Sequence, residues 1–271
     1  MAKNDLSILV IDVGGSHLKL MCSGQPEVVK IPSGPKLTAK QMVADVKEAA
    51  AKWTYTAVSI GYPGPVLHDQ PVAEPHNLGS GWVGFDFDKA FGCTVRVIND
   101  AAMQALGSYE GGRMLFLGLG TGLGSALIVD GLMQPMELAH LPYKKGHTYE
   151  DYVGERGLER LGKKKWRKAV IDVVDRLKLA LEADYVVLGG GNARLLEELP
   201  KGVRLGDNAN AFQGGFRLWQ QEMTAGKTAV PVLHEAPVKK APASKKAAKG
   251  KKAAKSKVQT ATDAVPAGEE D

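Results

Sequence analysis

Cysteine is nearly absent from this 271-residue chain, which has only Cys22 and Cys93. Two cysteines cannot build a disulfide framework or a cysteine-rich zinc site, so a reducing compartment, the cytoplasm, is expected. No apolar run approaches the ~20 residues of a membrane span. The opening Met-Ala-Lys-Asn-Asp-Leu-Ser has no signal-peptide apolar core. The common nucleotide fingerprints are also missing. None of the three glycine turns (12–16, 118–124 and 189–192) reads G-x-G-x-x-G, and Gly226-Lys227-Thr228 imitates the end of a P-loop with Gln221 where its first glycine belongs. A Rossmann dehydrogenase and a P-loop NTPase are both disfavoured. Charge is missing from most of the chain as well. The net +5 belongs to residues 237–271, which hold nine lysines and four acids, and residues 1–236 balance at 26 basic and 26 acidic residues.

Glycine is what the chain has in quantity, 32 residues. The stretch Met114 to Gly131 runs from an apolar segment through four glycines in the seven residues 118–124, then through a second apolar segment to Asp130-Gly131. That pattern predicts strand, glycine turn, strand and tight turn. Glycine reaches positive φ without steric cost and has no side chain to obstruct a ligand. Successive N–H groups in such a turn can converge on a phosphate.

The same layout opens the chain. Leu6 to Asp12 predicts a buried strand, Val13-Gly14-Gly15-Ser16 a turn, His17 to Met21 a returning strand and Gln25 to Ile31 a third. A helix capped by Thr38 is expected to about Lys52, and strands over 55–60 and 93–98. A helix over 101–110 has Asn99 or Asp100 as its cap. The second half predicts a helical stretch from Tyr149 to Leu181 broken near Gly162, a strand over 185–188, a helix over 193–199, a short strand over 203–205 and a final helix over about 209–223. Two such halves imply a duplicated α/β fold. The expected division is a small N-terminal domain (1–112), a large C-terminal domain (113–230) and a disordered Lys/Ala/Pro-rich tail (231–271), with the final helix able to pack back on the first domain. Asp12, Gly61, Asn99, Asp100 and Gly189 all fall at predicted strand ends, where open α/β sheets bind ligands.

Asp12-Val-Gly-Gly-Ser16, Gly118-Leu-Gly-Thr-Gly-Leu-Gly-Ser125 and Leu188-Gly-Gly-Gly-Asn192 together resemble the two phosphate motifs and the adenosine motif of the actin/hexokinase-like superfamily, whose fold is RNase H-like. With Gly61-x-Pro63-Gly64-Pro65, Asn77-Leu-x-x-x-Trp82, Asn99-Asp100-Ala101 and Glu137-x-x-His140, residues 6–223 are similar to the ROK family of sugar kinases. The family commonly carries a cysteine-rich zinc motif after the Glu-x-x-His element. Here no cysteine follows Cys93, so no zinc is expected, and the segment 141–152 takes its place. In this the chain resembles the polyphosphate glucokinase branch.

The resemblance implies a kinase transferring phosphate from polyphosphate, ATP or both to the C6 hydroxyl of glucose, an early step of carbohydrate breakdown. Asp100 is the implied base, against the plainer reading that it only caps a helix. Asn77, Asn99, Glu137, His140 and Glu150 are the implied sugar ligands, with Glu155 and Glu159 competing with Glu150. Gly14, Gly15, Ser16, Gly120, Thr121, Gly122, Gly190, Gly191 and Asn192 would hold the donor. Asp12 would organise Mg²⁺ through water, since Mg²⁺ dehydrates reluctantly. Lys19 matches the family pattern loosely and reads as an outward strand residue. A homodimer is also implied. An ATP-dependent kinase for another hexose, or a sugar-responsive regulator, is the alternative, although Leu6 opens the first strand and leaves no room for a preceding helix-turn-helix. The lysine-rich tail reads either as a solvated extension or as a contact for a polyanion such as polyphosphate or nucleic acid. Its run 243–255 has no aromatic residue for stacking on bases.

Overall fold

Two five-stranded mixed sheets of the same design carry the chain in this computed structural model, which describes residues 6–207 and 209–220. The P-loop-like 226–228 and the lysine-rich tail lie outside the described residues. The first sheet begins with β1 (Ile8–Val13), β2 (His17–Cys22) and β3 (Val29–Pro32), an antiparallel meander. The helix α1 (Ala39–Ala49) follows, its Thr38 hydroxyl accepting from the Gln41 N–H, and leads into β4 (Ala57–Tyr62), parallel to β1. A small hairpin of β5 (Val66–Leu67) and β6 (Gln70–Pro71) and the short α2 (Phe87–Phe91) precede β7 (Thr94–Asn99), parallel to β4. The sheet order is β3-β2-β1-β4-β7.

The helix α3 (Asp100–Ser108) then leads into the second sheet. Here β8 (Arg113–Leu119), β9 (Leu123–Val129) and β10 (Leu132–Met136) repeat the antiparallel meander. Asp130 and Gly131, at φ 50° and 82°, are the two positive-φ residues that a tight hairpin of matching twist needs. A small hairpin, β11 (Pro142–Lys144) and β12 (His147–Thr148), precedes α4 (Tyr149–Val153) and the long α5 (Glu155–Ala180). Gly162, at φ 70° and ψ 159°, breaks α5 where the sequence predicts a break. Then come β13 (Tyr185–Gly189), β14 (Val203–Leu205) and α6 (Asn210–Arg217), giving the order β10-β9-β8-β13-β14. The expected helix over 193–199 is only a 3-10 turn, Ala193–Leu195, ended by extended backbone at Leu196. Among the described residues no helix is long and apolar enough to cross a membrane.

The helices α3 and α6 share one apolar layer with both sheets, including Val10, Ala102, Met103, Leu106, Phe116, Ile128 and Phe212. Glycine lets the two helices touch. A Cβ on Gly107 would lie 1.8 Å from the Asn210 carbonyl oxygen, and one on Gly214 would lie 1.8 Å from that of Met103. The α6 backbone also reaches β4. The buried Ser59 hydroxyl donates to the Gly215 carbonyl at 2.7 Å and accepts from the Trp219 indole at 2.8 Å. Arg217 finishes α3 by donating to the carbonyls of Leu106, Gly107 and Tyr109, which are among the carbonyls a helix end leaves free.

Candidate functional site

Strand register brings the sequence's strand-end residues to one edge. Asp12 pairs with Gly61 across β1 and β4, and Tyr62 pairs with Asn99 across β4 and β7. In the second sheet Gly118 pairs with Gly189. The residue after Asn99 opens α3, so Asp100 stands at that same edge. Gly61 permits this seat, since a Cβ there would lie 2.3 Å from Met103 Cε and 3.6 Å from Asp100 Cα.

The capping question is answered by Asn99. Its Oδ1 accepts from the Ala102 N–H at 3.1 Å, and its Nδ2 donates to the Gly64 carbonyl at 3.1 Å. Asp100 is therefore the first helical residue, with one carboxylate oxygen accepting from the Ala101 N–H at 2.8 Å. Burial pushes its carboxyl up to about 7, and the nearby Asp12 carboxylate pushes the same way. The Ala101 N–H and the Lys19 ammonium oppose the rise.

Lys19 is the correction to the sequence reading. It is Asp12's cross-strand partner in the β1–β2 hairpin, and its Nζ donates to Asp12 Oδ2 at 2.8 Å. Asp12 is buried and Lys19 half-exposed, so this pair is screened less than a surface one. The turn read from the sequence, 13–16, would set residue 12 opposite 17; the observed register is centred one residue later and sets Asp12 opposite Lys19.

The first glycine turn is tied by Gly14 N–H to the His17 carbonyl at 3.1 Å and by Ser33 Oγ to the Gly14 carbonyl at 2.6 Å. Gly15 and Ser16 are exposed, with Asn77 Cβ 3.3 Å from where a Gly15 Cβ would stand. In the second turn none of Gly118, Gly120, Gly122 and Gly124 adopts positive φ, and Gly122 and Gly124 are needed for space. A Cβ on Gly124 would lie 2.7 Å from Ala101 Cβ at the start of α3, and one on Gly122 would lie 2.3 Å from Glu150 Oε2. In the third turn Gly190 is at φ 82° against the Leu119 backbone. Asn192 Nδ2 donates to the Gly120 carbonyl at 3.3 Å, so the second and third turns touch.

Glu150 joins this group. Its Oε2 accepts from the Leu123 N–H at 3.1 Å, while its own N–H donates to the Ala139 carbonyl at 3.1 Å. Of the three competing glutamates, Glu155 and Glu159 are exposed and Glu150 is directed at the glycine turn. Glu137 and His140 lie on the segment before it, fixed at Leu138 by the buried Ser125 hydroxyl. Both are exposed, and they face one another at 3.7 Å. The structure thus brings together Asp12, Lys19, Asn99, Asp100 and the glycine turns, with Glu150 on the second turn. It leaves Glu137, His140 and Asn77 at the surface.

Behind Glu150, the 141–152 segment is held by aromatic contacts and by hydrogen bonds to α5. Tyr143 packs tilted against Tyr149 and edge-on against Tyr152, with ring centroids 5.2 and 4.8 Å apart, and Asp172 of α5 accepts from Tyr143, Lys144 and Arg176. Those donors hold the Asp172 carboxyl well below the usual range. Among the described residues no three His, Cys, Asp or Glu side chains converge as a metal site.

The family model for ROK, described as the ROK family, matches residues 8–168. Polyphosphate glucokinase of Mycobacterium tuberculosis is 28% identical over 210 residues, covering 68% of this chain and 77% of its own. The protein of the same name from Mycobacterium leprae is 27% identical over 209 residues, covering 68% and 63%. Among solved structures, an inorganic polyphosphate/ATP-glucomannokinase from Arthrobacter sp. strain KM superposes with a TM-score of 0.67 at 23% identity, over 80% of this chain and all of that one. A ROK family glucokinase from Streptomyces griseus, solved with glucose and AMPPNP, has a TM-score of 0.61 at 16% identity, over 79% and 99%. The fold is that of the actin/hexokinase-like kinases, and the chain belongs to the ROK family.

Proposed function

We propose that this chain is a sugar kinase that transfers a phosphoryl group from polyphosphate or ATP to the C6 hydroxyl of glucose. The observation that carries this reading is Asp100. Its carboxyl is not the helix cap, is desolvated to about 7, and stands beside Asp12, Lys19 and a glycine turn. A base poised near neutral pH suits removal of a hydroxyl proton. The names of the relatives point to the same chemistry.

In this reading the C6 oxygen attacks the terminal phosphorus of the donor while its proton passes to Asp100. The bond to the leaving phosphate breaks, releasing ADP or a polyphosphate one phosphate shorter. Such transfer needs positioning and charge stabilisation more than covalent help. Lys19, fixed by Asp12, supplies a positive charge next to the base. The turns at 14–16, 120–122 and 190–192 hold the donor. Asn99, with one amide donor and one acceptor capacity still open, meets the sugar together with Asn77, Glu137, His140 and Glu150.

Asp12 fits Mg²⁺, which binds through one or two carboxylates, substrate phosphates and retained water. One Asp12 oxygen is engaged by Lys19, and the other is open to a metal-bound water. When bound, the ion would neutralise charge on the donor phosphates.

The test is direct. Purified protein is mixed with glucose, Mg²⁺ and either donor, and glucose 6-phosphate is measured. Product with one or both donors is expected. Phosphorylation of a different hexose in its place would remove the glucose assignment, and no phosphorylation of any sugar would remove the kinase.

A further inference from the structure

We infer that the exposed cations along the first part of α5 form a track for a long polyanionic donor, inorganic polyphosphate, whose reacting end is held at the Gly120–Gly122 turn. This rests on the kinase reading above.

Charge placement is the first support. Residues 1–236 are neutral as a whole, yet the first part of α5, residues 155–168, holds seven basic residues against two acids, Glu155 and Glu159. Not all seven are available. Arg160 donates to the Asp151 carbonyl and lies over the Tyr152 ring, and Arg167 pairs with Glu197 at 2.7 Å. The other five, Arg156, Lys163, Lys164, Lys165 and Lys168, are exposed and have no ion-pair partner among the described residues. Beyond Gly162, Trp166, Ala169, Val170 and Val173 form the buried side of the helix. Lys164, Lys165 and Lys168, spaced three and four apart, are neighbours on the opposite side. Leaving several like charges together without counter-charges costs free energy that a bound polyanion removes.

Position is the second support. The helix starts on the glycine turn itself, where the Glu155 N–H donates to the carbonyls of Gly120 and Thr121 at 3.1 and 3.2 Å. At ~1.5 Å of rise per residue, Lys163 lies within about 15 Å of that contact along the chain. A nucleotide triphosphate held at the turn ends in a neutral sugar and base. A polyphosphate held there continues as one charge after another and can reach the lysines. Contacts of this kind are expected to be sequence-blind and salt-sensitive.

The experiment compares the full-length protein with a full-length K163A/K164A/K165A/K168A variant, using glucose with long-chain polyphosphate, tripolyphosphate and ATP. The expected result is a KM for long-chain polyphosphate raised tenfold or more, with the KM values for ATP and tripolyphosphate changed less than twofold. A second variant, K249A/K251A/K252A/K255A, addresses the tail and is expected to leave all three KM values alone. The track is overturned if the α5 variant leaves the long-chain KM unchanged, if all three donors weaken together, or if only the tail variant raises it. Equal competition by single-stranded DNA of matched charge also overturns it. A wild type that uses ATP but no polyphosphate removes the track and leaves the kinase standing, whereas no phosphorylation with any of the donors removes the kinase itself.

Discussion

Replacing Asp100 with Asn should make the protein more stable and far less active, and the two effects share one cause. In the folded state the carboxyl loses its proton near pH 7, against an ordinary value of 3.8. Below pH 4 the group is protonated in both the folded and unfolded chains and contributes nothing. Between pH 4 and 7 the unfolded chain has released the proton and the folded chain has kept it, so stability falls as pH rises. Above pH 7 the penalty is complete. At 1.36 kcal/mol per tenfold in acidity the gap corresponds to ~4 kcal/mol, and partial solvent access reduces this to about 2 kcal/mol. Asn carries no such penalty. The Asp100→Asn variant should come within about 0.5 kcal/mol of the wild type near pH 4.5 and melt roughly 5 °C higher at pH 8. Its kcat on glucose should fall by about 10²–10⁴. Thermal unfolding from pH 4.5 to 8, alongside initial rates, reads both. Parallel Tm–pH curves would show that the carboxyl is not desolvated, and a kcat within threefold of wild type would show that Asp100 is only the first residue of α3.

Three further outcomes follow from the same geometry. In the wild type, kcat/KM should rise with pH through about 7 as Asp100 ionises; Lys19→Met removes a cation that favours the ionised form, so the rise should move to higher pH and kcat should drop at least tenfold, as a pH–rate profile would show. Gly122→Ala places a Cβ against the Glu150 carboxylate, the movable end of a side chain, so Tm should change little while the KM for glucose rises severalfold. Gly107→Ala places its Cβ against the rigid α6 backbone at Asn210, and denaturant unfolding should show a loss of about 3 kcal/mol.

Local pattern was enough to read the repeated meander, the Thr38 cap, the break at Gly162 and the gathering of Asp12, Asn99 and Asp100 at strand ends. Each depends on neighbours in sequence: alternation, a capping hydroxyl, a glycine in a helical run, a polar residue closing an apolar strand. The sequence could not choose between Asn99 and Asp100 as the cap, because both side chains suit the position and the outcome depends on Gly64, 35 residues away. The helix expected over 193–199 stops at Leu195, where Leu196 takes extended backbone, and no local pattern in the sequence marks that stop.

By itself, the sequence determined the family, the duplicated α/β design and the residue types able to do phosphoryl-transfer chemistry, because these are carried by short motifs whose spacing survives without any knowledge of packing. Tertiary structure decided the rest. It put Lys19 on Asp12, a consequence of hairpin register. It raised the Asp100 carboxyl by withdrawing water from it, and put Glu150 rather than Glu155 or Glu159 against the glycine turn. It also gave Gly122 and Gly124 a different purpose, the space that Glu150 and α3 occupy rather than backbone freedom. Burial, electrostatic field and close approach are properties of atoms distant in sequence, so no local pattern can encode them.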